Sequence, residues 1–175
     1  MNKNIITRFV VSLFIIFFNF SAMAAKPKAP TSEDLSKEAL MIELSGKDYK
    51  KISEEALYAE VISAYKSGNE IALKARTQTF IKRFPRSQFA DNAIYLSGLM
   101  ALQNKSYPEA LRNFQKISKN YPNSNKAVSA QFSKAMTYKH LNLAAEAKRV
   151  FKEVMAKYPG SPESFRAETE LKLLN

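Results

Sequence analysis

The 175-residue chain contains no cysteine, only one histidine and only four glycines. Without cysteine it can form neither a disulfide nor a thiolate metal site, and it offers neither a thiol nucleophile nor a cysteine for a lipid anchor. One histidine excludes a metal centre built from several histidines, and four scattered glycines exclude a glycine-rich loop that binds phosphate. The sequence therefore predicts no metal site and no cofactor.

Groups that could carry out catalysis are also sparse. Adjacent carboxylates occur at Glu33-Asp34 and Glu54-Glu55, but neighbours on a helix point about 100° apart and cannot share a reacting atom. His140 is the single imidazole, and the sequence offers no serine, histidine and aspartate arrangement around it. We predict that the protein has no catalytic residues and is not an enzyme.

The first 24 residues have the pattern of an export signal. Lys3 and Arg8 precede an apolar stretch at 9–18, which is shorter than the about 20 residues that a membrane-spanning helix needs. The small residues of Ala22-Met23-Ala24 form an A-x-A cleavage site. We predict a signal peptide at 1–24 that is cleaved after Ala24, and a location in the periplasm of a Gram-negative cell. An uncleaved membrane anchor is the alternative.

The chain is basic, with 27 Lys and Arg against 16 Asp and Glu and a formal net charge of +11. Because an exported chain meets no chromosomal DNA, we do not interpret this charge as nucleic-acid binding. Hydrophobic residues make up 46% of the chain, which excludes a disordered protein. We predict a folded protein that is not stably inserted in a membrane after cleavage.

One sequence unit recurs three times at an interval of 37 residues. The columns that repeat are Phe84-Pro85, Tyr121-Pro122 and Tyr158-Pro159; Ser87, Ser124 and Ser161; and Tyr58, Tyr95 and Phe132. A register without gaps over several columns is the signature of a repeat architecture. The units are predicted at 53–87, 88–124 and 125–160.

Each unit is predicted to form two antiparallel helices. Apolar positions in the second helix have offsets of 0, 4, 7 and 11, which place them on one helical stripe; they are Leu73, Thr77, Phe80 and Phe84, then Ala110, Phe114, Ile117 and Tyr121, then Ala147, Phe151, Val154 and Tyr158. Ser87, Ser124 and Ser161 are predicted N-caps of the following helices. Gly68 and Asn142 are predicted left-handed turn residues, and Ser106 and Glu109 have capping-box spacing.

The segments that flank the repeats are predicted to be a linker and two caps. Residues 25–32, with two prolines, form the linker. Residues 33–52 form an N-terminal capping segment, with a helix from about Glu33 to Ser45, and residues 161–175 form a C-terminal capping helix.

The repeat resembles the tetratricopeptide repeat (TPR). Gly98, Ala110, Phe114 and Pro122 have its spacing, and Ala135, Ala147, Phe151 and Pro159 repeat it. The Tyr-Pro-x-Ser ending and the 37-residue period resemble periplasmic TPR proteins, namely the TPR domain of the Tol-Pal-associated cell-division coordinator and, more distantly, BamD-like proteins of outer-membrane assembly. The resemblance covers about residues 53–174 and implies an all-α, TPR-type α-solenoid of antiparallel helix pairs.

The TPR resemblance also implies a concave face lined by the first helix of each pair. The positions that it assigns to this face are Tyr58, Ile62, Tyr65, Tyr95, Leu99, Leu102, Phe132, Met136 and Lys139. An apolar, aromatic groove suits an amphipathic helix or an extended apolar peptide. The alternative for the aromatic column of Tyr58, Tyr95 and Phe132 is packing within the core.

A basic patch is formed by Lys82, Arg83 and Arg86 near a helix C-terminus. These side chains complement the helix dipole, or they attract an acidic partner; both interpretations stay open from the sequence.

The sequence predicts a non-catalytic periplasmic adaptor that binds another envelope protein or a peptide segment through its concave face. The resemblance favours a role in Tol-Pal-linked cell division or envelope integrity. The alternatives are a helper of outer-membrane β-barrel assembly and a structural subunit that assembles with itself through exposed solenoid ends. The sequence leaves the oligomeric state open.

Overall fold

The computed structural model describes residues 51–174. The predicted signal peptide, the linker and all but the last two residues of the N-terminal capping segment lie outside these described residues. The chain divides into two units, Met1–Lys47 and Asp48–Asn175, and the fold presented here is that of the second.

Residues 51–174 form seven α-helices and no strand. The helices are α1 (Glu54–Lys66), α2 (Glu70–Arg83), α3 (Ala90–Gln103), α4 (Tyr107–Asn120), α5 (Ala127–His140), α6 (Ala144–Lys157) and α7 (Pro162–Leu173). The unit is therefore all-α, as predicted, and it is a TPR-like solenoid of adjacent helix pairs.

The helices pack as three pairs followed by a single helix. Each helix packs against the next along the chain, and α1, α3, α5 and α7 also contact one another in that order. In residues 51–174, the second helices α2, α4 and α6 make no such contacts with each other. The first helices are therefore closer together than the second helices, which makes their side the inner, concave face.

The core follows the apolar stripe that the sequence predicts on the second helices. Leu73, Phe80, Phe114, Phe151 and Val154 are all buried, because offsets of 4 and 7 return a side chain to the same helix face. The residues that end the stripe, Phe84, Tyr121 and Tyr158, are only half-buried. The predicted stripe is confirmed except at its C-terminal end, where the last aromatic ring lies at the edge of the core.

The turn inside each pair uses the left-handed backbone conformation at equivalent positions. Gly68 has φ of 68° and Asn142 has φ of 57°, as the sequence predicts, and Lys105 has φ of 59° at the same place in the central pair. Left-handed backbone is costly for most L-residues and nearly free for glycine. The central turn therefore carries strain that the first turn avoids.

Two predicted capping arrangements are wrong. Ser87 and Ser124 accept hydrogen bonds from the backbone N–H of Phe89 and Lys126, so they stabilise a short turn, and the helices begin three residues later. Of these three serines, Ser161 caps its helix, through the Ser164 N–H. Ser106 makes no side-chain cap bond, because the Glu109 N–H donates to the Ser106 carbonyl instead. The Glu109 carboxylate pairs with Lys74 at 2.9 Å and so does not complete a capping box.

Candidate binding groove

The predicted groove residues lie on the inner helices α1, α3 and α5, and most of them are half-buried. Half-buried positions are Tyr58, Ile62, Tyr65, Tyr95, Leu99, Leu102, Met136 and Lys139. Phe132 is only 4% exposed and belongs to a core cluster with Phe151 and Val154. The core alternative thus describes Phe132, whereas Tyr58 and Tyr95 retain surface that solvent reaches.

Each aromatic residue of the column is covered by residues about one repeat further along the chain. Phe89 stacks on Tyr58, with ring centroids 4.5 Å apart and planes 14° apart, and the Asn92 side chain donates a hydrogen bond to the Tyr58 hydroxyl. These covering residues follow the aromatic residue by 31 and 34 positions. The Tyr58 side chain is therefore partly covered by the Phe89 ring and the Asn92 amide.

The same two offsets place different side chains over the other two aromatics. The Lys126 Nζ lies 5.8 Å from the Tyr95 ring centroid, and the Arg166 guanidinium lies 4.3 Å from the Phe132 ring centroid. An ammonium on a flexible stem covers less area than a ring. Tyr95 therefore has a cation over its ring where Tyr58 has a stacked ring.

A pocket of about 240 Å³ opens beside Tyr95 between α3, α5 and α7. It is lined by Tyr95, Leu99, Leu102, Ser129, Phe132, Ser133, Met136, His140, Glu163 and Arg166. Five of the nine predicted groove residues thus come together in one place. Tyr58, Ile62, Tyr65 and Lys139 lie outside this pocket.

Sequence reasoning missed five polar residues of the pocket: Ser129, Ser133, His140, Glu163 and Arg166. Arg166 could have been found from the sequence. It follows Asn92 and Ser129 at intervals of 37 residues, so it occupies the same repeat position in the capping helix. Glu163 accepts a hydrogen bond from the Ser129 hydroxyl at 2.6 Å. His140 is exposed and stacks on Tyr107 with ring centroids 5.9 Å apart.

Most ionised groups of α7 have polar partners. Glu170 pairs with Lys139 at 2.5 Å, and Glu168 pairs with Lys172 at 2.9 Å. Arg166 differs, because within residues 51–174 its guanidinium contacts the Phe132 ring and makes no ion pair. An unpaired cation therefore borders the apolar pocket.

The predicted basic patch is only partly exposed. Lys82 and Arg86 are exposed, but Arg83 turns back, donating from Nη2 to the Ile52 carbonyl at 3.0 Å and lying 5.0 Å from the Phe84 ring centroid. The outer helices α2, α4 and α6 carry eleven basic and four acidic residues, which makes the outer face positive. Binding of an acidic partner to the patch stays a prediction.

Among residues 51–174, two side chains have shifted pKa values, and both lie outside the pocket lining. Burial lowers the pKa of Lys134 on α5, and nearby Arg149 lowers it further while Glu153 opposes the shift. Burial raises the pKa of the Tyr121 phenol, and the charge of Asp91 adds to the effect. The Tyr121 hydroxyl donates to the Pro85 carbonyl at 2.9 Å, so Tyr121 contacts the preceding helix pair, whereas Lys134 interacts with α6 of its own pair.

The described residues contain no group of three or more His, Asp or Glu side chains that could hold a metal ion. None of the helices in residues 51–174 is long and apolar enough to span a membrane. The pocket lining combines five apolar or aromatic residues with five polar or charged ones.

A family model described as "YfiO: Outer membrane lipoprotein" matches residues 91–165. The matched segment runs from α3 into α7, and it is less than half of the chain. It includes every pocket residue except Arg166. No curated protein matches the chain.

Proposed function

We propose that the protein is a non-catalytic component of the bacterial cell envelope that binds a segment of another protein along its concave face. The observation that carries this proposal is the pocket between α3, α5 and α7, which Tyr95 and Phe132 of the aromatic column both line. An apolar pocket with a rim of polar groups is a common form of peptide site.

We propose outer-membrane protein assembly as the process that it serves. The match to the outer membrane lipoprotein family over residues 91–165 supports this role, because that segment contains most of the pocket. The 175 residues contain no cysteine, so a lipid on cysteine has no acceptor within them. Under this proposal the signal peptide at 1–24 delivers the protein to the periplasm, and partner proteins hold it at the membrane.

A role in Tol-Pal-linked cell division is the second candidate. The observation in its favour is the Tyr-Pro-x-Ser ending of the repeats, at Tyr121 and Tyr158 with a period of 37 residues. Both candidates use the same concave face, so the identity of the bound protein separates them.

Photo-crosslinking in living cells tests the proposed function. A photoreactive phenylalanine analogue at Leu99, inside the pocket, should form adducts with outer-membrane assembly proteins. The same analogue at Gln115, which is exposed on the outer helix α4, is the matched control and should not give those adducts.

The adducts at Leu99 distinguish the alternatives. Tol or Pal proteins at this position would favour the second candidate, and a second copy of this chain would favour a self-assembling subunit. Equal adducts from Leu99 and Gln115 would contradict binding through the concave face.

A further inference from the structure

We infer that the pocket beside Tyr95 binds one large apolar side chain of a partner segment, and that Arg166 binds a carboxylate on a neighbouring residue of that segment. This inference rests on the proposed function and specifies the chemistry of the partner. The partner is a peptide segment in which an acidic residue lies close to a large apolar one.

The size of the pocket sets the apolar half of this inference. Its volume of about 240 Å³ lies below the about 300–1,000 Å³ that is typical of sites for whole small molecules. A single side chain such as Leu, Met or Phe is a better match. The apolar part of the lining, which includes Leu99, Leu102 and Met136, would contact such a side chain.

The Arg166 guanidinium supplies the charged half. Its Cζ lies 4.3 Å from the Phe132 ring centroid, which is a cation–π contact. This contact uses none of the N–H donors of the guanidinium in a hydrogen bond. A guanidinium with free donors binds a carboxylate through two parallel hydrogen bonds.

The charges beside the pocket favour a bound carboxylate on balance. Glu163 in the lining keeps its negative charge while it accepts a hydrogen bond from the Ser129 hydroxyl, and the charge of Glu170 is offset by Lys139. Lys126 adds a second cation over the Tyr95 ring. A bound carboxylate thus gives Arg166 the ion-pair partner that it lacks within the described residues.

Selection from a library of random twelve-residue peptides tests this inference. The protein is expressed from the full 175-residue sequence and immobilised, and the selected peptides are sequenced. We expect enrichment of Leu, Met or Phe with Asp or Glu one to four positions away. The best peptide is then synthesised with its acidic residue intact and with the corresponding amide, and the affinity of each form is measured by fluorescence anisotropy.

Four proteins are compared with the two peptides. For the wild type, changing the acid to the amide should weaken binding about tenfold, as for a hydrogen bond to a charged group. Arg166→Gln should bind both peptides equally, because the cation is gone. Arg166→Lys should keep part of the preference, and Arg112→Gln, which removes the same charge from the outer helix α4, should keep all of it.

Other outcomes overturn the inference, and they separate it from the proposed function. A pocket-closing variant, Lys126→Phe, locates the binding site when it is compared with Lys126→Gln, which removes the same charge without adding a ring. If it abolishes binding but the peptides show no acid preference, the concave face binds partners and the role of Arg166 is wrong. If binding survives in Lys126→Phe, or if no peptide is selected, the proposed use of this pocket is wrong as well.

Discussion

Gly98 lets α3 and α4 pack closely against each other because it has no side chain. A Cβ atom built at this position would lie 2.6 Å from Phe114 Cε1. Glycine inside a helix costs about 1 kcal/mol relative to alanine, so its presence here has a packing reason. The central helix pair, α3 and α4, can close only around this contact.

We predict that Gly98→Ala destabilises the protein even though alanine is the better helix former. Displacing the ring should cost about 1–3 kcal/mol, which exceeds the gain in helix propensity. Urea unfolding followed by circular dichroism measures the change. Ser63→Ala, at an exposed site on α1, is the control and should change stability little; a Gly98→Ala protein that is more stable than the wild type would show that Phe114 moves freely.

Lys134 is the residue whose protonation opposes folding. Its pKa is lowered from 10.5, with burial as the main cause. At pH values between the lowered pKa and 10.5, the unfolded chain binds the proton and the folded protein does not, so the free energy of unfolding rises with pH in that window. Below the window, the protein bears the full cost of the buried charge.

We predict that Lys134→Met stabilises the protein at neutral pH, and that this advantage shrinks as the pH approaches 10.5. Denaturant unfolding of both proteins across this range is the measurement. Lys152→Met on the exposed side of α6 controls for the loss of a lysine charge elsewhere. If the stabilisation by Lys134→Met grew with pH, the pKa of Lys134 would not be lowered in the folded protein.

At the scale of the helices, the starts of α3 and α5 are nearly superimposable in backbone conformation. Phe89 has φ of −100° and ψ of −7°, and Lys126 has φ of −90° and ψ of −8°. Each residue covers the aromatic ring 31 positions before it. The side chain at this position therefore covers that ring, as a stacked ring in Phe89 and as a cation in Lys126.

We predict that Lys126→Phe closes the pocket and stabilises the protein. A phenylalanine here can stack on Tyr95 as Phe89 stacks on Tyr58, and an aromatic pair contributes about 0.5–1.5 kcal/mol beyond its buried area. Thermal unfolding should show the gain. Lys126→Leu is the control, because it adds apolar area without a ring that can stack. If both variants are less stable than the wild type, the side chains at the two helix starts do not pack equivalently.

The helix pairs and the buried stripe could be predicted from the sequence because a 37-residue period and offsets of 4 and 7 are properties of one chain segment. The N-caps at Ser87 and Ser124 could not, since the choice between capping a helix and capping a short turn depends on how the next pair packs. The pocket could not be predicted for a similar reason. Its walls come from three helices, and Arg166 reaches it from the capping helix.

At the scale of the whole described unit, stability is shared between neighbours. The ring of Phe114 is fully buried in the central pair, where it meets Gly98 and Tyr95. In a stack of this kind, each pair buries its surface against the pairs on either side. Damage to the central pair therefore weakens both of its interfaces.

We predict that Phe114→Ala lowers the free energy of unfolding by about 3–5 kcal/mol, a large part of the about 5–15 kcal/mol of a typical domain. Hydrogen exchange should show faster exchange from α3 through α5 together. Phe165→Ala in α7 removes a ring that is 63% exposed and should change stability by less than about 0.5 kcal/mol. Loss of protection confined to α4 would contradict the coupling.

The reach of the helix contacts also has a consequence for how fast the chain folds. Within residues 51–174, no helix contacts another beyond the next but one, so a contacting helix seldom lies much more than one 37-residue repeat away along the chain. Closing such short loops costs little entropy, and helical proteins dominated by local contacts fold in about microseconds to milliseconds. Each pair can form as soon as its own residues are available, and the next pair adds to a surface that is already in place.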